Sequence, residues 1–299
     1  MAVHLILFIF ICLAWGISFL LMKYATIAFG SMSISCYRVL SGGLILLLLW
    51  AIRPKEGRKL NLKKDFFGLT WIAILGYALP FYLQPWLIQK TDNSAFFGMM
   101  VAFVPLLTMV TSVFMLKKKP TKMEMCGVGG GLILLMIIGR ESLQFDFNLS
   151  ILLLGLVSPL AYAVTNTYIK QKYADVSPLS LSCFSLLYAG LLLLPVSLPE
   201  NIAGKHPDFT MSLVSLLILG FISTGLAMAA FYHLIKERGP LFASMVTYVI
   251  PVEAALLGWW LENEEITLLQ IICLLGVIGL VALTNFKPAA LSKQPSQQL

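Results

Sequence analysis

Glu253 is the residue whose type and position most directly suggest chemistry, because it is an acidic side chain well inside a long apolar stretch. A carboxyl group removed from water can take up and release a proton, or it can bind a cationic group. It can also stay neutral and donate a hydrogen bond to a neighbouring helix. On a helical wheel, Glu253 points roughly opposite to a stripe that contains Thr247 and Pro251, so only one of these faces need line a solute pathway.

Two prolines, Pro105 and Pro251, lie in the interior of apolar runs, and Pro251 shares its run with Glu253. A proline inside a helix removes one backbone hydrogen bond and frees the carbonyl group one turn earlier. Such a carbonyl can bind a ligand or let the helix bend where it borders a cavity. The alternative is a static kink that only serves packing, and we favour a helix-break and gating role.

Aromatic and amide side chains within the apolar runs could form an amphipathic pocket, in which rings give apolar contact and polar groups orient a ligand. The predicted substrate pathway consists of Glu253 and seven such residues: Trp15, Phe19, Tyr82, Tyr162, Asn166, Tyr232 and Tyr248. Each ring could instead anchor a helix at a membrane surface, and the Asn166 amide could simply join two helices. Arg38 could attract anions, or it could serve packing or anchoring.

The elements that carry these residues are long apolar helices. The chain of 299 residues is 59% hydrophobic and 12% charged, with a mean hydropathy of +0.88, whereas soluble domains carry about 25% charged residues. A helix of about 20 apolar residues crosses a bilayer. We therefore predict an all-α integral membrane protein with ten transmembrane helices, at about 4–23, 33–52, 66–89, 94–116, 123–139, 149–170, 178–198, 211–235, 240–261 and 266–285.

The distribution of lysine and arginine predicts the orientation, since cytoplasmic loops carry the excess of these residues. With the N-terminus inside, 16 basic residues fall on the cytoplasmic side. The other five fall outside, namely Lys23, Arg38, Lys90, Arg140 and Lys205. Both termini are therefore predicted to be cytoplasmic, with residues 286–299 forming a disordered tail.

An internal repeat relates the two halves of the chain. A shift of 146 residues places Pro105 on Pro251 and Gly130 on Gly276, and a shift of 147 places Trp15 on Tyr162. Each half has an odd number of spans, five, so the repeats at 4–139 and 149–285 must enter the membrane in opposite senses. Inverted repeats are typical of secondary transporters, which bind substrate near the membrane midplane and alternate its access between the two sides.

The sequence resembles the EamA-type family of the drug/metabolite transporter superfamily. The resemblance is carried by short motifs in a fixed order: Trp15-Gly16-Ile17-Ser18-Phe19 with Lys23, Tyr37-Arg38, Ser94-Ala95, Val104-Pro105-Leu106, Gly127 with Gly130, Ala161-Tyr162-Ala163 with Lys170, Ile250-Pro251-Val252, and Leu261 with Glu264-Glu265-Ile266-Thr267. It departs where Met115-Leu116-Lys117 replaces an LGE motif and where serines replace a proline before the second span. The resemblance implies two EamA repeats and transport of small solutes.

The resulting prediction is a bacterial inner-membrane transporter that exports amino acids or related small metabolites, a substrate class implied by the resemblance alone. Its expected partners are the lipid bilayer and a small-molecule substrate, with no nucleic acid, cofactor or metal, in a monomer or homodimer. Protons are the expected coupling ion, and facilitated exchange without a coupling ion is the alternative. Transport of toxic organic cations or other metabolites, a channel and a membrane-embedded enzyme are the alternatives. The sequence carries no HExxH, GxSxG or P-loop motif, so it is not predicted to be an enzyme.

Overall fold

The structure is a computed structural model that describes residues 2–52, 58, 60–61, 63–91, 99–142, 149–200, 202, 204, 206–262 and 268–285. Nearly all of these residues are helical, and one isolated bridge between Arg58 and Val176 is the only β pairing that the described part of the chain contains. The predicted tail at 286–299 and the first residues of the predicted spans at 94–116 and 266–285 lie outside the described residues.

The helices follow the apolar runs of the sequence. In chain order they are α1 Ala2–Gly16, α2 Ser18–Ala25, α3 Ser31–Ile52, α4 Phe66–Trp71, π1 Ile72–Ala78, α5 Leu79–Thr91, α6 Val104–Leu116, α7 Lys122–Ser142, α8 Leu149–Lys172, α9 Pro178–Ser197, α10 Phe209–Ile218, π2 Leu219–Leu226, α11 Ala227–Arg238, α12 Pro240–Ser244, α13 Val246–Glu262 and α14 Leu268–Asn285. Prolines begin α9 and α12, where the missing N–H group is not needed.

Seven helical stretches of the described residues are long and apolar enough to cross a membrane. They are Ala2–Ala25, Ser31–Ile52, Phe66–Lys90, Met99–Leu116, Leu149–Lys172, Pro178–Ser197 and Phe209–Arg238. Two shorter apolar stretches follow, Pro240–Glu253 and Ile271–Ala282. Large apolar side chains such as Phe67, Phe114 and Leu275 face outward, with 84%, 77% and 65% of their surface exposed. An apolar exterior of this kind fits a bundle surrounded by lipid.

The two halves make reciprocal contacts across the bundle centre. Gly43 packs against Leu187, and the equivalent Gly190 packs against Leu40. The Cys36 thiol donates to the Gly190 carbonyl over 3.6 Å, and the equivalent Cys183 thiol donates to the Gly43 carbonyl over 3.7 Å. Pairs that recur after a shift of 147 residues indicate a pseudo-two-fold axis between α3 and α9.

A second reciprocal pair lies between α7 and α14. Gly130 packs against Leu280, and Gly276 packs against Leu134, which is the same contact after a shift of 146 residues. The repeat predicted from the sequence is therefore present in the packing of the helices.

The equivalent helices α3 and α9 run antiparallel. Cys36, early in α3, contacts Gly190 late in α9, whereas Trp50 near the end of α3 donates to Ser180 at the start of α9 over 3.0 Å. Residues early in one helix therefore contact residues late in the other. The two helices point in opposite directions, as inverted halves require.

Two of the predicted spans contain π-helical segments instead of continuous α-helix. The segments π1 and π2 begin at Ile72 and Leu219, again 147 residues apart. In π2, Gly220 and Gly225 lie directly against the backbone of α3 around Gly42, where a Cβ atom on any of the three would collide with its neighbours. π-Segments within α-helices occur frequently at functional sites.

One end of the bundle is joined by ion pairs of Arg58. Its guanidinium lies 3.0 Å from the Asp65 carboxylate and 2.8 Å from that of Asp175, which belongs to the other half. The hydrogen bonds that Arg58 donates to the Asp65 carboxylate raise the pKa of Arg58 above its usual value. Arg58 and Asp175 are exposed, so their pair contributes at most about 1 kcal/mol.

Candidate functional site

A central cavity lies between the two halves of the bundle. About 670 Å³ of space, which includes its open part, is free of protein atoms. The cavity is lined by Trp15, Ser18, Phe19, Arg38, Gly76, Phe81, Gln84, Val101, Val104, Tyr162, Thr165, Asn166, Met228, Phe231, Tyr232, Thr247 and Ile250. Helices from both halves therefore build one site.

Most lining residues occur as equivalent pairs, one from each repeat. The pairs at a shift of 147 residues are Trp15 with Tyr162, Ser18 with Thr165, Phe19 with Asn166, Phe81 with Met228 and Gln84 with Phe231, and those at a shift of 146 are Val101 with Thr247 and Val104 with Ile250. The cavity thus straddles the pseudo-two-fold axis. Because several pairs combine a polar with an apolar side chain, the site is symmetric in backbone position and asymmetric in chemistry.

The cavity lies about halfway along the helices. Trp15 is near the middle of the stretch Ala2–Ala25, and Tyr162 is near the middle of Leu149–Lys172. Residues Phe81 and Met228 hold similar places in their own stretches. A site at this depth is far from both ends of the bundle.

Hydrogen bonds fix the polar side chains around the cavity. Gln84 Nε2 donates to the Tyr162 hydroxyl over 2.9 Å and so joins the halves. The buried Tyr77 hydroxyl donates to the Tyr232 hydroxyl over 2.6 Å. Trp15 Nε1 donates to the carbonyl of Ser223 in π2 over 2.9 Å. Each bond links α1, α5 or π1 of the first half to a helix of the second.

Arg38 lines the cavity and is buried, with 3% of its surface exposed. The distribution of basic residues predicts that Arg38 lies on the outer side, near the end of the span at 33–52, whereas the structure places its side chain inside the bundle. Its Nε donates to Thr224 Oγ1 over 3.0 Å, and its Cζ lies 3.9 Å from the centre of the Phe81 ring. The close approach of α3 to π2 turns this side chain away from the surface and into the bundle.

Five of the eight predicted pathway residues line the cavity: Trp15, Phe19, Tyr162, Asn166 and Tyr232. The other three, Tyr82, Tyr248 and Glu253, are not among its lining residues. Tyr82 is half-buried. Tyr248 is fully buried, packs its ring on Gly131 and donates to the Val128 carbonyl over 2.7 Å, so it serves the contact between α13 and α7.

Glu253 packs against Gly16, at the junction of α1 and α2. A carboxylate oxygen of Glu253 occupies the place that a Cβ atom on Gly16 would take. Its Oε2 atom is buried without a hydrogen-bond partner. Gly16 is the neighbour of the cavity residue Trp15, so this carboxyl group lies beside the site and outside its lining.

Each of the two prolines stands four positions after a residue that lines the cavity. Pro105 stands in the first turn of α6, after a turn at residues 102–103, and Pro251 lies inside α13. The residues four positions earlier, Val101 and Thr247, both line the cavity. The helix of the second half is interrupted separately at Met245, between α12 and α13.

Several lining residues are not among the predicted pathway residues, above all Ser18 and Thr165. Arg38 was predicted to attract anions or to serve packing or anchoring, and it was not placed in the pathway. The shift that matches Trp15 with Tyr162 also matches Ser18 with Thr165, so the repeat itself carried the signal. No group of three or more His, Cys, Asp or Glu side chains that could hold a metal ion occurs in the described part of the chain.

Comparison with known proteins gives a consistent picture. The model of the EamA-like transporter family matches the chain twice, at residues 3–140 and 149–286. The chain is similar to the uncharacterized transporter YoaV of Bacillus subtilis, with 26% identity over 86% of this chain and 88% of YoaV. It is also 26% identical to the uncharacterized inner membrane transporter YedA of Escherichia coli K12, over 88% of this chain and 84% of YedA. One solved protein crystal structure shares the fold, with a TM-score of 0.75 at 16% identity over 95% of this chain and 98% of that one.

Proposed function

The chain belongs to the EamA-like transporter family, and from this premise we propose that it binds a small metabolite in the central cavity and moves it by alternating access. The observation that supports this mechanism most strongly is the pairing of lining residues from two repeats around one axis. If each half can adopt the conformation of the other, the cavity opens in turn to the two sides of the membrane.

We further propose ten spans with both termini in the cytoplasm of a bacterial cell. The backbones of α7, of α12 with α13, and of α14 supply the three spans beyond the seven long apolar stretches. With Arg38 buried, four basic residues remain on the proposed outer side against 16 inside, which strengthens the charge asymmetry. The name of the relative YedA supports an inner-membrane location.

Amino acids or related small metabolites are the proposed substrates, and export is the proposed direction. The lining combines aromatic rings, apolar side chains and a few oriented polar groups, which suits a small solute with one apolar and one polar end. Counterflow of radiolabelled amino acids into liposomes that contain the purified protein tests this proposal. The absence of saturable counterflow for every amino acid in the panel would contradict this substrate class.

Proton coupling through Glu253 is the proposed source of energy. The carboxyl group is buried beside the cavity and carries an oxygen without a partner, so protonation there can change the packing of α13 against α1. Because Glu253 contacts Gly16, a change in this packing would shift the adjacent cavity residue Trp15.

Cysteine labelling tests alternating access itself. Ser18→Cys and Thr165→Cys are introduced singly into a variant in which the five natural cysteines are replaced. Both equivalent positions should react with an impermeant maleimide from either membrane side, and substrate should protect both. Ser158→Cys is the matched control, because Ser158 is buried on the same helix as Thr165 and outside the cavity lining.

The labelling result separates a carrier from a channel. In a carrier, a crosslink that closes one side leaves the positions reactive from the other side only. Labelling from both sides that no substrate and no one-sided crosslink alters would contradict alternating access.

A further inference from the structure

Arg38 stands out among the cavity residues because it carries a permanent charge. The guanidinium group stays protonated in proteins. It is the only lysine or arginine among the lining residues that the structure describes, and no aspartate or glutamate accompanies it there. The cavity therefore presents one fixed positive charge inside an otherwise neutral lining.

The contacts of Arg38 leave part of the guanidinium unsatisfied. Nε donates to Thr224 Oγ1, and the plane lies close to the Phe81 ring. The NH1 atom is buried and has no hydrogen-bond partner, and no ion pair joins Arg38 to an acidic side chain of the described residues. Burying a charge without a counter-ion is costly, so a structure that retains one has a use for it.

A second polar group without a hydrogen-bond partner belongs to the other half of the molecule. Thr165 Oγ1 is also buried without a hydrogen-bond partner, and Thr165 lines the same cavity. A carboxylate has two oxygens that can accept from a guanidinium and from a hydroxyl group. The rest of the lining is largely apolar, with Phe19, Phe231 and Ile250 among its members.

We propose that Arg38 binds the carboxylate group of the substrate, so that the cavity selects small monocarboxylates whose remainder is apolar. This inference rests on the proposed function, since it names the substrate class of the transport site. One guanidinium and one hydroxyl group match the single charge of a carboxylate, whereas a phosphate dianion would need a second cation. Thr165 completes the site from the opposite half.

The equivalent of Arg38 in the second half is Ser185, which donates to the Tyr77 hydroxyl over 3.4 Å and is not a lining residue. The anion site therefore exists once, near the first-half side of the pseudo-two-fold axis. A bound carboxylate would fix the orientation of the substrate, with its apolar part against the rings.

Ligand binding to the purified full-length protein tests the inference without relying on transport. The probes are phenylacetate, phenylacetamide, phenylethylamine, phenyl phosphate, and L-phenylalanine and L-leucine with their amides. At least one carboxylate should raise the thermal unfolding temperature and saturate with a measurable Kd, while the corresponding amide should not. In Arg38→Gln the Kd should rise roughly 10- to 100-fold, the loss expected for one charged hydrogen-bonded contact.

Two further variants keep the test decisive if Arg38→Gln does not fold. Arg38→Lys retains the positive charge and loses the planar set of guanidinium N–H donors. This variant should still prefer carboxylate over amide, with a higher Kd. Ser185→Ala is the matched control at the equivalent position and should bind like the wild type. Equal binding of amides, preference for phenylethylamine or phenyl phosphate, unchanged binding in Arg38→Gln, or no binding of any carboxylate would each overturn the inference.

Counterflow of the bound carboxylate in liposomes then separates this inference from the proposed function. Arg38-dependent binding without counterflow would contradict transport and leave the anion site in place. Counterflow of an uncharged or cationic compound that is unaffected by Arg38→Gln would contradict the anion site and leave transport in place.

Discussion

The two places where a π-segment crosses a helix of the other half are equivalent in backbone and different in chemistry. At the crossing of α3 and π2, Gly42 meets Gly225, and Arg38 bonds to Thr224. At the crossing of α9 and π1, alanines occupy the corresponding positions 189 and 78. There Ser185 bonds to Tyr77 at the places equivalent to Arg38 and Thr224.

This difference shows how a duplicated backbone becomes an asymmetric site. Glycines let the first crossing close until backbone atoms touch, which carries the Arg38 guanidinium to the cavity. The second crossing is filled by the Tyr77 ring, whose hydroxyl donates a hydrogen bond to the Tyr232 hydroxyl. The crossing of α3 and π2 places a charged guanidinium beside the cavity, whereas the crossing of α9 and π1 places a neutral pair of tyrosine hydroxyls there. A ligand therefore contacts two chemically different walls.

Gly42→Ala is expected to have the largest effect, because it tests the close approach directly. The added Cβ would lie 2.8 Å from the Gly220 carbonyl oxygen and 2.9 Å from the Gly225 nitrogen, and backbone atoms cannot yield as a flexible side chain does. Overpacking of this kind costs roughly 1–3 kcal/mol. Thermal unfolding in detergent should show a lower transition temperature and weaker carboxylate binding.

Gly129→Ala is the control for that variant, since nothing lies within 4 Å of its Cβ position. It should be neutral or stabilising by up to about 1 kcal/mol, the helix propensity difference. Equal stability of Gly42→Ala and Gly129→Ala would show that the first crossing is no tighter than the rest of the bundle.

Glu253→Gln tests a second difference between the halves, because the equivalent position of the first repeat carries Leu107. We expect substrate binding to stay within about twofold, as Glu253 is outside the cavity lining. Uptake driven by a proton gradient should fall to the level of gradient-free exchange. Transport assays with and without the gradient measure this, with Asp175→Asn as an exposed carboxylate control.

A wild-type response of Glu253→Gln to the proton gradient would remove Glu253 from the mechanism. The asymmetry between the halves would then be confined to the lining and the crossings.

Thr224→Val and Tyr77→Phe, which remove one hydroxyl group from each crossing, should have the smallest effects. Each loses a hydrogen bond that contributes about 1 kcal/mol to stability. Thr224→Val should also weaken carboxylate binding several-fold, because Arg38 loses the acceptor that holds its Nε. Tyr77→Phe should change the Kd less, and isothermal titration of both variants measures the difference. If Tyr77→Phe changed the Kd more than Thr224→Val, the crossing of α3 and π2 would not be the one that binds the carboxylate.

The sequence by itself determined the helices and the repeat. Apolar runs of span length predict helices because lipid leaves no other partner for backbone groups. The shift of 146–147 residues predicted the equivalence that Gly130 and Gly276 show in their packing. Family membership also followed from short motifs in a fixed order, and the family match confirms it.

Only the tertiary structure decided which side chains face the cavity. Arg38 near a helix end is typical of an interfacial anchor, and a hydropathy pattern does not contain the glycine contact that turns it inward. Tyr248 and Thr247 are adjacent in sequence, yet one packs on Gly131 and the other lines the cavity. The π-segments change the helical register within a span, so a wheel of 3.6 residues per turn misplaces faces beyond them. These outcomes depend on contacts between residues far apart in the chain, which local sequence patterns do not encode.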